Sequence, residues 1–376
     1  MITQRHNLPR RMSDVRGLIG LSQTALAKRL GLSASLISMW ESGERSPSEG
    51  QVMEIARALG VSLDFLINAE VRPHFQPRAT VTMLAEEDHA CRKALLDASE
   101  QMFYLASAYE AAKEIPGQFG LRCDFSSGQL PGLAQQVREA FKLDRRVSSE
   151  ELKRAATERR IHVFEWSLPA KISGLSYRGA FTAIIINRDH PPGRRLFALA
   201  HELGHVLFHL PGGSGGEKGG DTEVSFFAFN RDPKEREANS FAAELLMPTD
   251  EIDSFIRRFE RELQNPSFLP VAARTFNVSP DALFYRLVGK NVYAWPDKAR
   301  FLLSRRPESK VPDTRVENVD EQVDPGLVGL GLRLYEQEAV SAGKLAEWFF
   351  APRLVVEDYL ARFSQERDSV IVGSGD

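Results

Sequence analysis

Residues 195–209 read Arg-Leu-Phe-Ala-Leu-Ala-His-Glu-Leu-Gly-His-Val-Leu-Phe-His, an apolar run that carries three imidazoles and one carboxylate. The spacing is helical, and positions four apart lie on one face about 6 Å along the axis. Leu199, Leu203, Val206 and Leu207 would bury this helix. Burying two histidines and a glutamate without partners is costly. The cost disappears if His201 and His205 converge on one cation with nitrogen bonds near ~2.1 Å, the habit of zinc. Glu202 follows the first of them and is angled to reach a water beside the metal without being a ligand, which suits a general base. The alternative is a metal-free helix whose histidines are satisfied by ordinary hydrogen bonds. His209 lies about 12 Å along the axis from His201 and cannot reach the same ion while the helix continues. No glycine separates it from His205, so it reads as a helix-end residue.

A tetrahedral catalytic zinc needs a third protein ligand and an open fourth position. The helical run 235–248, Glu-Arg-Glu-Ala-Asn-Ser-Phe-Ala-Ala-Glu-Leu-Leu-Met-Pro, offers one. Glu235, Ala238, Asn239 and Ala242 share a face whose alanines would let it approach the first helix closely. Glu235 is the preferred ligand and Glu237 the alternative. Glu237 and Glu244 fall on other faces and read as solvated helix carboxylates.

The chain has 376 residues, more than one core usually organises, so two or three folding units are expected. A net charge of −3 argues against a protein that coats nucleic acid throughout. Charge is local instead: residues 1–40 carry a net +5, whereas 41–70 hold two basic and six acidic residues. Cys91 and Cys123 are the only cysteines, which excludes a disulfide framework and a four-thiolate zinc site. Both read as core residues; the rival reading makes one of them an inhibitory thiolate in the open zinc position. No signal-peptide run and no stretch of about 18 apolar residues occurs, so a cytoplasmic protein without membrane contact is expected.

Residues 10–68 read as short helices broken at Gly20, Gly31, Gly43 to Pro47 and Gly60, and 84–114 as a long connecting helix. Two further helices are expected between 131 and 160. Ile161 to Trp166, Gly174 to Tyr177 and Thr182 to Asn187 then read as strands. An extended substrate segment would add as a strand beside 182–187. The glycine-rich stretch 211–220 reads as a flexible loop; no strand precedes it and no Gly-Lys-Ser/Thr opens a helix after it, so it is no phosphate cradle. Residues 306–325 are polar and acidic and read as a linker before a last helical piece at 326–364. That piece is a candidate for gating by an unidentified ligand or partner.

Leu21-Ser22-Gln23-Thr24-Ala25-Leu26-Ala27-Lys28-Arg29-Leu30-Gly31, followed by Leu32-Ser33-Ala34-Ser35-Leu36-Ile37-Ser38-Met39-Trp40-Glu41-Ser42-Gly43, reads as a helix-turn-helix. Ser22 and Ser33 can cap its two helices, and Ala25, Leu26, Leu30, Leu36 and Ile37 supply a shared core. The run resembles an XRE-type (Cro-like) DNA-binding domain, with the ending Trp40-Glu41-Ser42-Gly43-Glu44-Arg45-Ser46-Pro47 as a family signature. The resemblance implies double-stranded DNA as a partner, a homodimer on paired half-sites, and Gln23, Ser33, Ala34, Ser35, Ser38 and Met39 at the DNA face. Arg and Asn are absent from those positions, so specificity would rest on Gln23, methyl contacts and DNA shape. A helical protein-interaction module is the other reading.

Residues 161–248 resemble the ImmA/IrrE family of zinc-dependent peptidases. The likeness rests on Gly174-Leu175-Ser176, the strand closing at Ile186-Asn187, Arg195 through His205, and Glu235 with Asn239 through Pro248. It implies a zincin-like fold, Zn2+ held by His201, His205 and Glu235, Glu202 as base, and transcriptional repressors as substrates. The whole is expected to be mainly α with a small β-sheet (α+β). An all-α helix-turn-helix domain spans 1–70, a helical connector 71–125, the zincin-like metallopeptidase domain 126–290, a linker 291–325 and a helical C-terminal region 326–376. The function that follows is a DNA-binding transcription regulator fused to a zinc endopeptidase; the rival is a regulator or antitoxin whose zinc site is sensory or structural.

Overall fold

The structure, a computed structural model, describes residues 8–67, 75–77, 89–113, 130–170, 172–178, 181–210, 222–224, 233–294, 297, 318–319 and 323–373. The glycine-rich stretch 211–220, Cys123 and most of 306–325 lie outside the described residues. Mainly helical architecture with a small sheet is what is found.

Capping hydroxyls set the first helices: α1 (Leu8–Leu18), α2 (Gln23–Leu30), α3 (Ala34–Ser42), α4 (Glu49–Leu59) and α5 (Leu63–Ile67). Ser22 Oγ accepts the Ala25 amide at 3.0 Å and Ser33 Oγ the Leu36 amide at 3.3 Å, so both expected N-caps form. Met12, Leu26, Ile37, Trp40, Ile55 and Leu66 are sealed from water, while Ala25, Leu30 and Leu36 are half-buried at the margin of that core. Two of the basic residues counted toward the positive end are spent inside the unit. Arg16 makes a two-pronged pair with Glu41, at 2.6 and 2.8 Å, and Arg11 donates to the Phe65 carbonyl at 2.8 Å with its guanidinium over that ring.

After the short strand β1 (Phe75–Pro77) comes α6 (His89–Ala112), then α7 (Leu130–Ala140) and α8 (Ser149–Thr157). The three strands β2 (Ile161–Trp166), β3 (Gly174–Arg178) and β4 (Thr182–Asn187) fall where the sequence places them. They form one sheet in the order β2-β4-β3, with β2 parallel to β4 from Ile161 opposite Thr182, and β3 antiparallel to it from Gly174 opposite Ile186. β4 is therefore paired along both edges. A substrate strand cannot add beside 182–187 as expected, because its backbone donors and acceptors are already used. The three-isoleucine run marks a central strand, buried on both faces, rather than an edge.

α9 (Pro192–Gly204) runs on into a π-helical turn at His205–His209. β5 (Thr222–Val224), which sequence did not suggest, pairs parallel with β1 and lies beside β3. α10 (Pro233–Leu246), α11 (Thr249–Arg258), α12 (Leu269–Ala273) and α13 (Pro280–Gly289) follow, and α14 (Pro325–Glu336), α15 (Ala342–Trp348) and α16 (Arg353–Gly373) end the chain.

The sheet separates two cores, and the strand period of two decides which residue joins which. Ile161, Val163, Ile184 and Ile186 face a core with Leu199, Leu203, Val206, Phe241 and Leu245. Phe164, Trp166, Ala183 and Ile185 face a second core, shared with α6, the first five helices and the last three. α6, expected as a connecting helix, is itself part of this core: Leu95, Met102, Phe103 and Leu105 are buried, as are Asp97, Glu100 and Gln101. The Ser62 amide donates to Glu100 at 2.9 Å on one side, and Gln101 donates to the Trp348 carbonyl at 2.5 Å on the other. The end of the expected linker is also buried, at Val319, Val323 and Asp324. Asp324 caps α14 through the Gly326 and Leu327 amides and accepts from Val163 N and His162 Nδ1, the last at 2.7 Å. Tyr109 meets the other nitrogen of His162 at 2.7 Å.

Candidate metal centre and DNA face

α9 and α10 cross where both carry small residues. A Cβ added to Gly204 would lie 3.0 Å from Phe241 Cδ1 and 3.3 Å from Ala238 Cα, so glycine and alanine set the spacing. His201 Nε2 and His205 Nε2 stand 3.0 Å apart, and the Glu235 carboxylate lies 3.3 Å from each. A tetrahedral ion with bonds near ~2.1 Å has ligand atoms about 3.4 Å apart. The triangle has that size, and all three side chains are buried. Among the described residues no other cluster of three His, Cys, Asp or Glu side chains could hold a metal ion. Donor set and spacing both fit zinc.

The electrostatics follow from burial. Burial, then repulsion from Glu235, raises the Glu202 carboxyl well above the carboxylate range, against a smaller opposing effect of the Ser176 hydroxyl. Burial lowers His205 to about 3, keeping its imidazole neutral as ligation requires. For Glu235 burial acts upward, but hydrogen bonding with His201 and His205 outweighs it and holds the carboxyl well below its usual range. Glu202 Oε2 is buried with no hydrogen-bond partner among the described residues. A Cβ on Gly174 would lie 2.8 Å from Glu202 Cγ and 3.2 Å from Ile186 Cδ1, so β3 leaves this carboxylate its space only because residue 174 has no side chain. Gly174→Ala should cost about 1–3 kcal/mol through overpacking. Thermal unfolding measures it, and a midpoint equal to wild type would mean the site yields freely.

Two carboxylates differ from their sequence reading. Glu244 is buried, bonding Arg286 at 2.5 Å and the Thr249 amide at 2.6 Å. Glu237 accepts from His209 Nε2 at 2.9 Å. Neither is simply solvated, because α11, α13 and the π turn cover faces that an isolated helix would expose. Sequence reading assigned no role to Asn239, whose Oδ1 lies 3.1 Å from His201 Nδ1. Its place one turn from Glu235, on the same face, was the available signal. Cys91 is in the second core, at 0% exposure, away from the metal-site core.

At the other end of the chain, Ser33, Ser35 and Ser38 are exposed and Ala34 and Met39 half-buried, on and just before α3. Ser33 Oγ and Ser35 Oγ are 3.1 Å apart. Gln23 Nε2 donates to Glu41 at 2.8 Å, beside Arg16, so its amide is oriented by the fold before any base is met. Lys28 is exposed at the end of α2.

No helix among the described residues is long and apolar enough to cross a membrane. Residues 13–66 match the family model of the helix-turn-helix, and residues 156–288 match that of the IrrE N-terminal-like domain, a peptidase family. No curated protein and no solved structure matches the chain. The chain joins an XRE-type helix-turn-helix domain to a domain of the ImmA/IrrE metallopeptidase family.

Proposed function

We propose that the chain is a DNA-binding transcription regulator with a zinc-dependent endopeptidase activity that cuts a repressor-type protein. The observation that carries this is the buried triangle of His201, His205 and Glu235 with Glu202 beside it, one of whose carboxylate oxygens, Oε2, has no hydrogen-bond partner among the described residues. His201 Nε2, His205 Nε2 and the Glu235 carboxylate would hold the ion, and Zn2+ there supplies Lewis acidity toward a peptide carbonyl. Glu202 takes the proton from the attacking water. Its burial raises its proton affinity, so it holds that proton until the departing amine accepts it. The rival, a sensory or structural zinc site, is disfavoured by the same carboxylate. Structural sites close with four protein ligands, and a buried carboxylate oxygen left without a partner serves no structural purpose there.

The zinc-loaded chain, incubated with regulators encoded by neighbouring genes, should yield a pair of fragments by intact-mass spectrometry. Full zinc occupancy with every candidate left whole would favour the rival. The DNA half is tested apart: Lys28→Ala should weaken binding alike at all sequences and lower the slope of log affinity against log salt by about one. An unchanged slope would remove Lys28 from the phosphate contacts.

A further inference from the structure

Both imidazoles of the triangle face it through Nε2, and a nitrogen that gives its lone pair to a metal leaves the ring proton on Nδ1. That N–H needs an acceptor. His201 Nδ1 has the Asn239 amide oxygen at 3.1 Å. His205 Nδ1 has His209 Nδ1 at 2.9 Å, which accepts only if His209 carries its own proton on Nε2. His209 Nε2 is in turn 2.9 Å from Glu237 Oε2, and an ionised carboxylate is an acceptor alone. Every proton along Glu237, His209 and His205 then has one place, with no conflict.

We propose that His209 and Glu237 are positioning residues, a hydrogen-bonded relay that holds His205 in the tautomer and ring orientation of a metal ligand. This rests on the zinc reading above. The backbone supports it. From His205 to His209 the helix widens, and the Leu210 amide donates to the His205 carbonyl at 3.0 Å, five residues back. The widened turn sets the two rings 4.9 Å apart at 58°, with His209 almost wholly buried and facing α10. A regular helix end carrying a surface histidine needs none of this, and single-turn π-bulges in helices are frequent at functional sites. The competing account makes His209 and Glu237 a staple between the π turn and α10. A staple would stabilise the protein with or without metal and would be indifferent to the proton on His205.

The test uses the full-length chain, zinc-loaded and metal-free. Zinc affinity is read by competition with a fluorescent chelator, histidine tautomers by 15N NMR of imidazole-labelled protein, and stability by thermal unfolding of the metal-free form. His209→Ala should raise the zinc dissociation constant about 10- to 100-fold. His209→Gln, whose amide oxygen can accept from His205 and whose NH2 can reach Glu237, should recover most of that loss. Glu237→Gln should weaken zinc less than His209→Ala and leave the His205 Nδ1–H resonance in place. Should His209→Ala fail to fold, the zinc-loaded wild type and Glu237→Gln decide: a proton absent from His205 Nδ1 in the wild type, or a zinc affinity of Glu237→Gln equal to that of the wild type, overturns the relay. Zinc affinity unchanged in a folded His209→Ala also overturns it, as does a fall confined to metal-free stability. A wild-type chain that binds no zinc removes the zinc reading itself, a result the variants cannot imitate.

Discussion

Glu202→Gln is expected to slow cleavage of a protein substrate by about 10²- to 10⁴-fold, the usual contribution of a positioned general base. The amide cannot accept the water's proton, while His201, His205 and Glu235 are untouched, so zinc content should stay at the wild-type level. The same substitution should raise the thermal midpoint of the metal-free protein near pH 8. The folded carboxyl is raised by burial and by Glu235, so the folded state prefers it protonated. Metal-free stability is then highest below the unfolded carboxyl value, near ~4.3, and is lost as pH rises toward the raised folded value. The glutamine variant lacks that loss. Cleavage at the wild-type rate, with zinc bound, would take Glu202 out of the mechanism.

Asp324→Ala is expected to cost about 3–5 kcal/mol, because it leaves several buried donors without their acceptor, at about 1–3 kcal/mol each. Four donors converge on this carboxylate from the β2 backbone, the His162 ring and the first turn of α14, and it is wholly enclosed. Truncation leaves all of them facing a cavity, with Tyr109 at the far end of the histidine. Burial pushes the Asp324 carboxyl up, but His162 and the amide donors outweigh it and hold it below its ordinary range. Its contribution is therefore full above the unfolded value near ~3.9 and is lost as pH falls through the lower folded value. Urea unfolding at neutral pH measures the cost. A midpoint close to wild type would show that α14 does not depend on this clamp.

What was legible in the sequence is what local chemistry dictates. Serines three residues ahead of amides they cap, a β-branched run, and two histidines one turn apart announce themselves without the rest of the chain. That Glu235 faces the two histidines was legible because the alanines beside it say which face is close to a neighbour. The misread residues depend on distant partners. Glu244 is enclosed only because Arg286 and Thr249 arrive from elsewhere. β4 loses both edges to β2 and β3, and Arg16, counted in the positive charge of residues 1–40, is paired with Glu41. Asp324 sits in a polar stretch whose composition gives no hint of enclosure. The π turn has no sequence marker: His209 looks like any residue one turn beyond His205.

The alternation along β4 sets a limit on dissecting the chain. Ile184 and Ile186 belong to the metal-site core, but Ala183 and Ile185, one residue away, belong with Phe164 and Trp166 to the core under the DNA-binding helices. A fragment cut at residues 126 and 290 would keep His201, His205 and Glu235 and yet turn that aromatic face to water, with Trp166 stripped of the Phe350 ring stacked on it at 5.9 Å. Such a surface is sticky. The peptidase-family half is consequently a lodger without an outer wall of its own, and what encloses it is the helix-turn-helix half together with the last three helices.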